Sequence, residues 1–113
     1  MELAGKLILV IGLGESGLAM ARWLARQDAH VRVADSRPAP PQADALRAAV
    51  PAADLCVGPF TAEAFAGVDL IAISPGVPVQ EELVQAAVAR GVPLVSEIEL
   101  FAWAIGGLTP RAR

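Results

Sequence analysis

A short apolar run that stops at a glycine-rich turn places the strongest limit on how this chain can fold. Leu7–Ile11 is five consecutive apolar residues, typical of a strand buried on both faces in a parallel sheet. A G-x-G-x-x-G pattern, here called the glycine loop, follows at residues 12–17. Apolar residues then recur at helical spacing to about Gln27, with Ser16 as a candidate N-cap. A strand, a glycine turn and a helix predict the first βα unit of an α/β sheet.

Strands and helices alternate along the rest of the chain. Strands are predicted at 31–35, 54–57, 69–73 and 93–95, and helices at 43–50, 61–65 (with Thr61 as cap), 80–90 and 97–105. This alternation predicts right-handed crossovers and a Rossmann-like α/β fold, in which a parallel five-stranded sheet of order 3-2-1-4-5 has helices on both faces. Such sheets bind ligands at the switch point, here between the first and fourth strands.

Composition narrows the possible functions. The chain has 113 residues, enough for one domain, and a net charge of −3 with no basic block, which argues against a nucleic-acid partner. No apolar run approaches the ~20 residues that span a bilayer, and the first residues do not show the pattern expected of a signal peptide. We therefore expect a cytoplasmic protein without a membrane partner. Cys56 is interpreted as a buried small hydrophobe, and no residue pattern indicates a catalytic set or a metal site.

Each glycine of the loop has a distinct expected role. Gly12 permits a tight turn, Gly14 lets a ligand approach the backbone, and Gly17 allows the helix to pack closely on the strand. Free N–H groups at the helix start favour a phosphate or pyrophosphate. Glu15 is discordant with an anion site and is expected to face solvent or a neighbouring part of a larger protein. The alternative is that the glycines merely connect a strand to a helix.

Two other segments are expected at the same edge of the sheet. Asp35 follows the glycine loop at the roughly 20-residue offset of an acid that binds a ribose hydroxyl, and Arg37 can reach a phosphate or stack on a base. Ser74, Pro75 and Gly76, the facing loop, follow the fourth strand. The alternatives are that Asp35 is a solvated residue at the end of a strand, that Arg37 is an exposed loop residue, and that residues 74–76 form an ordinary loop. The tryptophans and phenylalanines are interpreted as core or domain-contact residues rather than as a stacking platform.

Five stretches, taken together, resemble the N-terminal domain of the Mur ligases. They are Gly5-Lys6, IGLGESGLA at 11–19, ADSR at 34–37, ISPGVP at 73–78 and VSEIELF at 95–101. The likeness extends from about Gly5 to Ile105. The resemblance implies a bacterial cytoplasmic enzyme of peptidoglycan precursor synthesis, and hence of cell wall biogenesis. In such an enzyme ATP and Mg²⁺ activate a carboxylate as an acyl phosphate, and D-glutamate is joined to UDP-N-acetylmuramoyl-L-alanine.

The resemblance also implies a division of labour between domains. Residues 1–105 are expected to bind the UDP part of the substrate, and residues 106–113 to link them to a central ATP-binding domain absent from this sequence, with a C-terminal domain beyond it. The ATP, Mg²⁺ and D-glutamate sites match no residue of this chain, so the fragment alone is expected to be inactive.

Only the UDP pocket is carried over to this chain. The implied residues are Leu13, Gly14, Glu15, Ser16 and Gly17 of the glycine loop, Asp35, Ser36 and Arg37 after the second strand, and Ser74, Pro75 and Gly76 of the facing loop. Two other hypotheses stay open: an NAD(P)-binding module of an oxidoreductase or sensor, and a scaffold domain that binds no nucleotide.

Overall fold

The computed structural model describes residues 2–106, which form one parallel sheet covered by helices. The strands are β1 (Leu7–Ile11), β2 (His30–Asp35), β3 (Asp54–Val57), β4 (Leu70–Ile73) and β5 (Leu94–Ser96). The helices are α1 (Glu15–Arg26), α2 (Ala43–Ala49), α3 (Glu82–Ala89) and α4 (Glu97–Gly106), and a 3₁₀ turn spans Ala62–Phe65. The last residues of the expected linker, 107–113, lie outside the described residues.

The strand order is β3-β2-β1-β4-β5 with every neighbouring pair parallel, which confirms the predicted topology. Strand β1 is central, and its last residue Ile11 lies beside Ala34 of β2 and Ile73 of β4. The segments that follow these three strands therefore start at the same edge of the sheet.

Side chains of β1 alternate between two apolar cores. Ile8 and Val10 pack with residues of α1, α2 and α4, whereas Leu9 and Ile11 pack with residues of α3 and the 3₁₀ turn. All four are fully buried, and each such side chain stabilises the fold by about 1.5–3 kcal/mol. The continuous apolar run predicted this burial on both faces.

Helix α1 starts earlier than the sequence predicts. Gly14 is the N-cap, and no side chain caps the helix, so the prediction of Ser16 as N-cap is wrong. Gly14 has an extended backbone, and its carbonyl accepts from Leu18 N at 3.0 Å, which already closes the first turn. Thr61 is at the N-cap position of the 3₁₀ turn, as predicted, but its side chain makes no capping hydrogen bond.

Two glutamates fix the starts of the later helices. Glu81, which lies inside the helix predicted at 80–90, is the N-cap of α3, and its Oε1 accepts from Leu83 N at 2.6 Å and Val84 N at 3.1 Å. Ser96 and Glu99 form a capping box, since each side chain accepts from the other's backbone N–H at 3.2 Å. The S-x-x-E spacing at residues 96–99 is the sequence signal of this capping box.

Arg32 joins β2 to the end of the 3₁₀ turn. Its Nη1 donates to the carbonyls of Ala64 at 2.9 Å and Ala66 at 3.1 Å. Replacing Arg32 with methionine keeps the aliphatic stem but removes these donors, so we expect the free energy of unfolding to fall by about 1 kcal/mol. Urea unfolding measures this value. Arg22→Met, at an exposed position of α1, is the matched control, and equal midpoints for the two variants would contradict the assignment.

Across residues 2–106, no helix has the length and apolarity needed to cross a membrane.

Cys56 lies half-buried in β3 and packs against the core on the α3 side.

Candidate functional site

A cavity of about 670 Å³ lies over the carboxyl ends of the strands, at the switch point between β1 and β4. Its volume is in the range of small-molecule sites. The lining residues are Gly12, Gly14, Glu15, Ser16, Asp35, Ser36, Arg37, Phe60, Ser74, Pro75, Gly76, Val77, Pro78 and Glu81.

The three glycines of the glycine loop have different surroundings, as their expected roles require. Gly12 has φ +93°, which favours glycine, and a Cβ there would lie 3.0 Å from Ser74 Cβ. A Cβ on Gly17 would overlap the carbonyl oxygen of Gly12 and lie 2.9 Å from its carbonyl carbon. A Cβ on Gly14 would meet nothing within 4 Å. Gly12 and Gly17 therefore shape the backbone, whereas Gly14 leaves open space at the start of α1.

The start of α1 has unpaired N–H groups and a positive dipole end, which suit an anion. The first N–H groups of a helix have no intrahelical acceptor, and no side chain caps those of α1. The helix dipole adds a partial positive charge at this end. Glu15 is exposed, as expected, and belongs to the cavity lining.

The facing loop is tied by one hydrogen bond to the glycine loop and by another to the end of β1. Ser74 Oγ donates to the Gly12 carbonyl at 3.0 Å in a buried bond, and Ser74 N donates to the Ile11 carbonyl at 3.0 Å. Beyond this tie, Pro75 and Gly76 are exposed, and a Cβ on Gly76 would meet nothing within 4 Å. Ser74 therefore fixes the distance between the two loops, and Gly76 leaves room for a ligand to come close to the backbone of the facing loop.

Asp35 connects the glycine loop to Arg37 through four hydrogen bonds. Its Oδ2 accepts from Leu13 N and from Arg37 Nη2, both at 2.7 Å. Its Oδ1 accepts from Arg37 N at 2.8 Å and from Arg37 Nε at 2.9 Å. A carboxylate offers about four acceptor positions, so all are occupied. The expected contact with a ribose hydroxyl finds no free acceptor on this side chain.

The ionised form of Asp35 is strongly favoured. The side-chain hydrogen bonds from Arg37 are the main cause, and with the bond from Leu13 N they outweigh burial, so the pKa of Asp35 falls from the ordinary 3.8 to about 2. The residue is 2% exposed. The Arg37 side chain is 53% exposed, and its pKa is raised by the same pair. The sequence alternatives for Arg37, a phosphate or base contact and an exposed loop residue, did not include this ion pair.

The structure brings nine of the eleven residues of the predicted site together in the cavity lining. The other two, Leu13 and Gly17, are buried beneath it. The N–H of Leu13 is bound to Asp35, and Gly17 packs on the Gly12 carbonyl.

Five lining residues were missing from the predicted site: Gly12, Phe60, Val77, Pro78 and Glu81. Val77 and Pro78 belong to the ISPGVP stretch, which therefore contained a signal for them. Phe60 and Glu81 have none, because no local pattern shows that the loop of Phe60 or the helix start at Glu81 borders the cavity.

Most aromatic residues lie where the sequence interpretation placed them. Trp23 and Phe101 form an edge-to-face pair with ring centroids 6.4 Å apart, and together with Trp103 they pack against the core on the α1 side. Phe60 differs, since it is half-buried and lines the cavity. No group of three or more metal-ligating side chains occurs in the described part of the chain.

Comparison with known families gives one match over most of the chain. Residues 6–96 match the family described as Mur ligase MurD-like, N-terminal domain. The UDP-N-acetylmuramoylalanine–D-glutamate ligase of Nitrosospira multiformis is 52% identical over 107 residues, which is 95% of this chain and 23% of that protein. The chain spans about a quarter of the length of the curated relatives it matches.

Solved structures give the same fold in two kinds of enzyme. A pseudomurein peptide ligase type C from Methanothermus fervidus is 26% identical, with a TM-score of 0.71 over 86% of this chain and 20% of that chain. The apo D-lactate dehydrogenase of Escherichia coli is 25% identical, with a TM-score of 0.61 over 85% of this chain and 29% of that chain.

Proposed function

This chain belongs to the Mur ligase MurD-like N-terminal domain family, and from that membership we propose that its cavity binds the uridine diphosphate of UDP-N-acetylmuramoyl-L-alanine. The whole protein is proposed to be the ATP-dependent ligase that adds D-glutamate to this substrate in peptidoglycan precursor synthesis in the bacterial cytoplasm. The sites for ATP, Mg²⁺ and D-glutamate are assigned to other domains of that protein. The names of the curated relatives support this proposal.

The observation that carries the proposal is the uncapped start of α1 inside the cavity. Gly14 leaves space there for close approach of a ligand, and the N–H groups of Glu15 and Ser16 belong to the first turn. A diphosphate satisfies such N–H groups and meets the positive end of the helix dipole. The hydroxyl of Ser16, which does not cap the helix, is a further donor in this position.

The remaining lining residues complete the proposed diphosphate site. Arg37 supplies the positive side chain, held in place by Asp35. Ser36 follows Asp35 in the same lining, and Pro75 and Gly76 close the opposite side. Leu13 and Gly17 contribute through the backbone, because they shape the loop from below.

The role proposed for this domain is to anchor the substrate, while the chemistry takes place elsewhere. Holding the nucleotide fixes the position of the attached muramoyl-alanine carboxylate, and such positioning lowers the entropic part of a reaction barrier. No catalytic residue is proposed within this chain.

The NAD(P)-binding hypothesis rests on the glycine loop and on the fold shared with D-lactate dehydrogenase. Its expected ribose contact is Asp35, whose four acceptor positions are occupied by Leu13 and Arg37. The geometry therefore lacks the ribose contact expected for NAD(P), and the family match over residues 6–96 supports UDP instead.

An amide titration by NMR tests the proposal. We expect UDP, with a dissociation constant on the order of 1 mM, to shift the amides of Gly14, Ser16 and Gly76. The amide of His30, at the opposite end of β2, is the internal control. NADH at the same concentration is the competing ligand. Unmoved cavity amides with UDP, or larger shifts with NADH, would reject the proposal.

A further inference from the structure

Phe60 is an aromatic side chain that lines the cavity but belongs to neither the glycine loop nor the facing loop. It follows β3 by three residues, is half-buried, and lines the same space as Arg37. Its ring meets that of Phe65 edge to face, with centroids 6.3 Å apart and an interplanar angle of 84°. Phe65 is 2% exposed and belongs to the core on the α3 side. The ring of Phe60 is therefore supported from the core while it borders the cavity.

The pairing of β2 with β3 places Phe60 at one end of the cavity. Asp35 pairs with Val57, and Gly58 N donates to the Asp35 carbonyl at 3.0 Å. The segments after β2 and β3, which carry Arg37 and Phe60, therefore lie next to each other. The start of α1 follows β1, the next strand across the sheet. A nucleotide with its phosphates at α1 can thus extend over β2 toward these two planar groups.

The opposite end of the cavity offers no aromatic group for a base. Its lining there consists of Pro75, Gly76, Val77, Pro78 and Glu81. The faces of aromatic rings and of guanidinium groups are the usual stacking partners of a nucleobase.

We infer that Phe60 is the stacking surface for the pyrimidine base of the bound nucleoside diphosphate, with the Arg37 guanidinium as the second planar group beside it. This inference rests on the proposed function and deepens it, because it orients the ligand. The diphosphate lies at α1, and the base lies over the ends of β2 and β3.

Two probes and two variants of this chain test the inference. The probes are UDP and inorganic pyrophosphate, which carries the two phosphates without the base. Phe60→Leu keeps an apolar side chain but removes the ring. Phe101→Leu makes the same change at a half-buried phenylalanine outside the cavity lining, where it packs on Trp23. Chemical shifts of the uracil H5 and H6 protons report directly whether a ring lies over the base.

We expect Phe60→Leu to weaken only the binding of the probe that carries a base. Phe60→Leu weakens UDP binding about tenfold and leaves pyrophosphate binding unchanged, whereas Phe101→Leu binds both probes like the parent chain. The uracil protons move upfield on binding to the parent chain, and this movement is lost in Phe60→Leu.

The outcomes distinguish a failure of the proposed UDP binding from a failure of the stacking inference. If the parent chain binds no UDP, the proposed function fails and the stacking inference fails with it. If UDP binds but the uracil protons do not move upfield, or if Phe60→Leu binds UDP as tightly as the parent chain, only the stacking inference is overturned. An equal loss of UDP and pyrophosphate binding in Phe60→Leu also overturns it, because the side chain then acts on the loop and not on the base.

Discussion

Replacing Gly17 with alanine is expected to lower the free energy of unfolding by more than about 3 kcal/mol or to prevent folding. The added methyl group would overlap the carbonyl oxygen of Gly12. The backbone fixes the position of the Cβ at residue 17, and the oxygen belongs to the backbone of Gly12, so a change of rotamer cannot relieve the overlap. Overpacking of a rigid site costs about 1–3 kcal/mol, and more where the backbone must move. Helix α1 would have to shift away from β1, and the shape of the cavity depends on the contact between these two elements.

Denaturant unfolding followed by circular dichroism measures this effect, with Gly14→Ala and Gly76→Ala as matched controls. A Cβ at either control position meets nothing within 4 Å, so we expect losses below about 1 kcal/mol, which is the scale of a glycine-to-alanine change at an N-cap. If Gly17→Ala unfolds at the same midpoint as the two controls, the close contact between α1 and β1 does not exist as described.

Replacing Asp35 with asparagine is expected to lower the free energy of unfolding by about 2 kcal/mol at neutral pH. The substitution keeps the shape but places an amide nitrogen where a carboxylate oxygen accepted two hydrogen bonds. The buried N–H of Leu13 or the guanidinium of Arg37 then faces a donor, and losing a partner of this kind costs about 1–3 kcal/mol. Holding the pKa at about 2 rather than 3.8 corresponds to about 2 kcal/mol, reduced where water reaches the exposed Arg37.

The stability difference between the parent chain and Asp35→Asn is expected to decrease as the pH falls. The folded chain keeps Asp35 ionised down to a pKa of about 2, whereas the unfolded chain takes up the proton near 3.8. The unfolded state therefore binds more protons between these values, and the stabilisation, complete above about pH 4–5, is lost as the pH falls toward 2. Urea unfolding of the parent chain and of Asp35→Asn should show a gap that narrows over this range.

A charge-removing change at an exposed position provides the control for Asp35→Asn. Asp54 is the exposed first residue of β3, and Asp54→Asn should leave stability at neutral pH within about 0.5 kcal/mol of the parent chain. A gap for Asp35→Asn that stays constant from pH 7 to pH 3 would show that the carboxylate charge contributes nothing to holding the glycine loop.

The strand order and the structural roles of Gly12 and Gly17 were predictable because they depend on local patterns. Leu7–Ile11 is uniformly apolar, so its burial on both faces and its central position follow from alternation with helices. Gly12 and Gly17 occupy the positions that a tight strand-to-helix turn requires. The N-cap was not predictable in the same way, since Gly14 and Ser16 both suit that position and the loop geometry decides between them.

The details of the candidate site depended on contacts between distant residues. The spacing of Asp35 suggested a ribose contact, but its acceptors are occupied by Leu13, 22 residues earlier in the chain, and by Arg37. Phe60 lines the cavity only because β3 pairs with β2, and Glu81 does so only because it caps α3 where that helix borders the cavity. None of these contacts produces a period or a motif in the sequence.

The bond between Ser74 and the Gly12 carbonyl has a consequence for the kinetics of binding. Because folding has already joined the two loops beside the proposed diphosphate site, a ligand there does not have to order the backbone, a step that costs about 1–2 kcal/mol for each residue fixed. Association then requires no slow closure, and its rate is set by diffusion and orientation. A weak ligand should accordingly exchange fast on the NMR timescale, so that the cavity amides move smoothly during a titration rather than broaden and reappear.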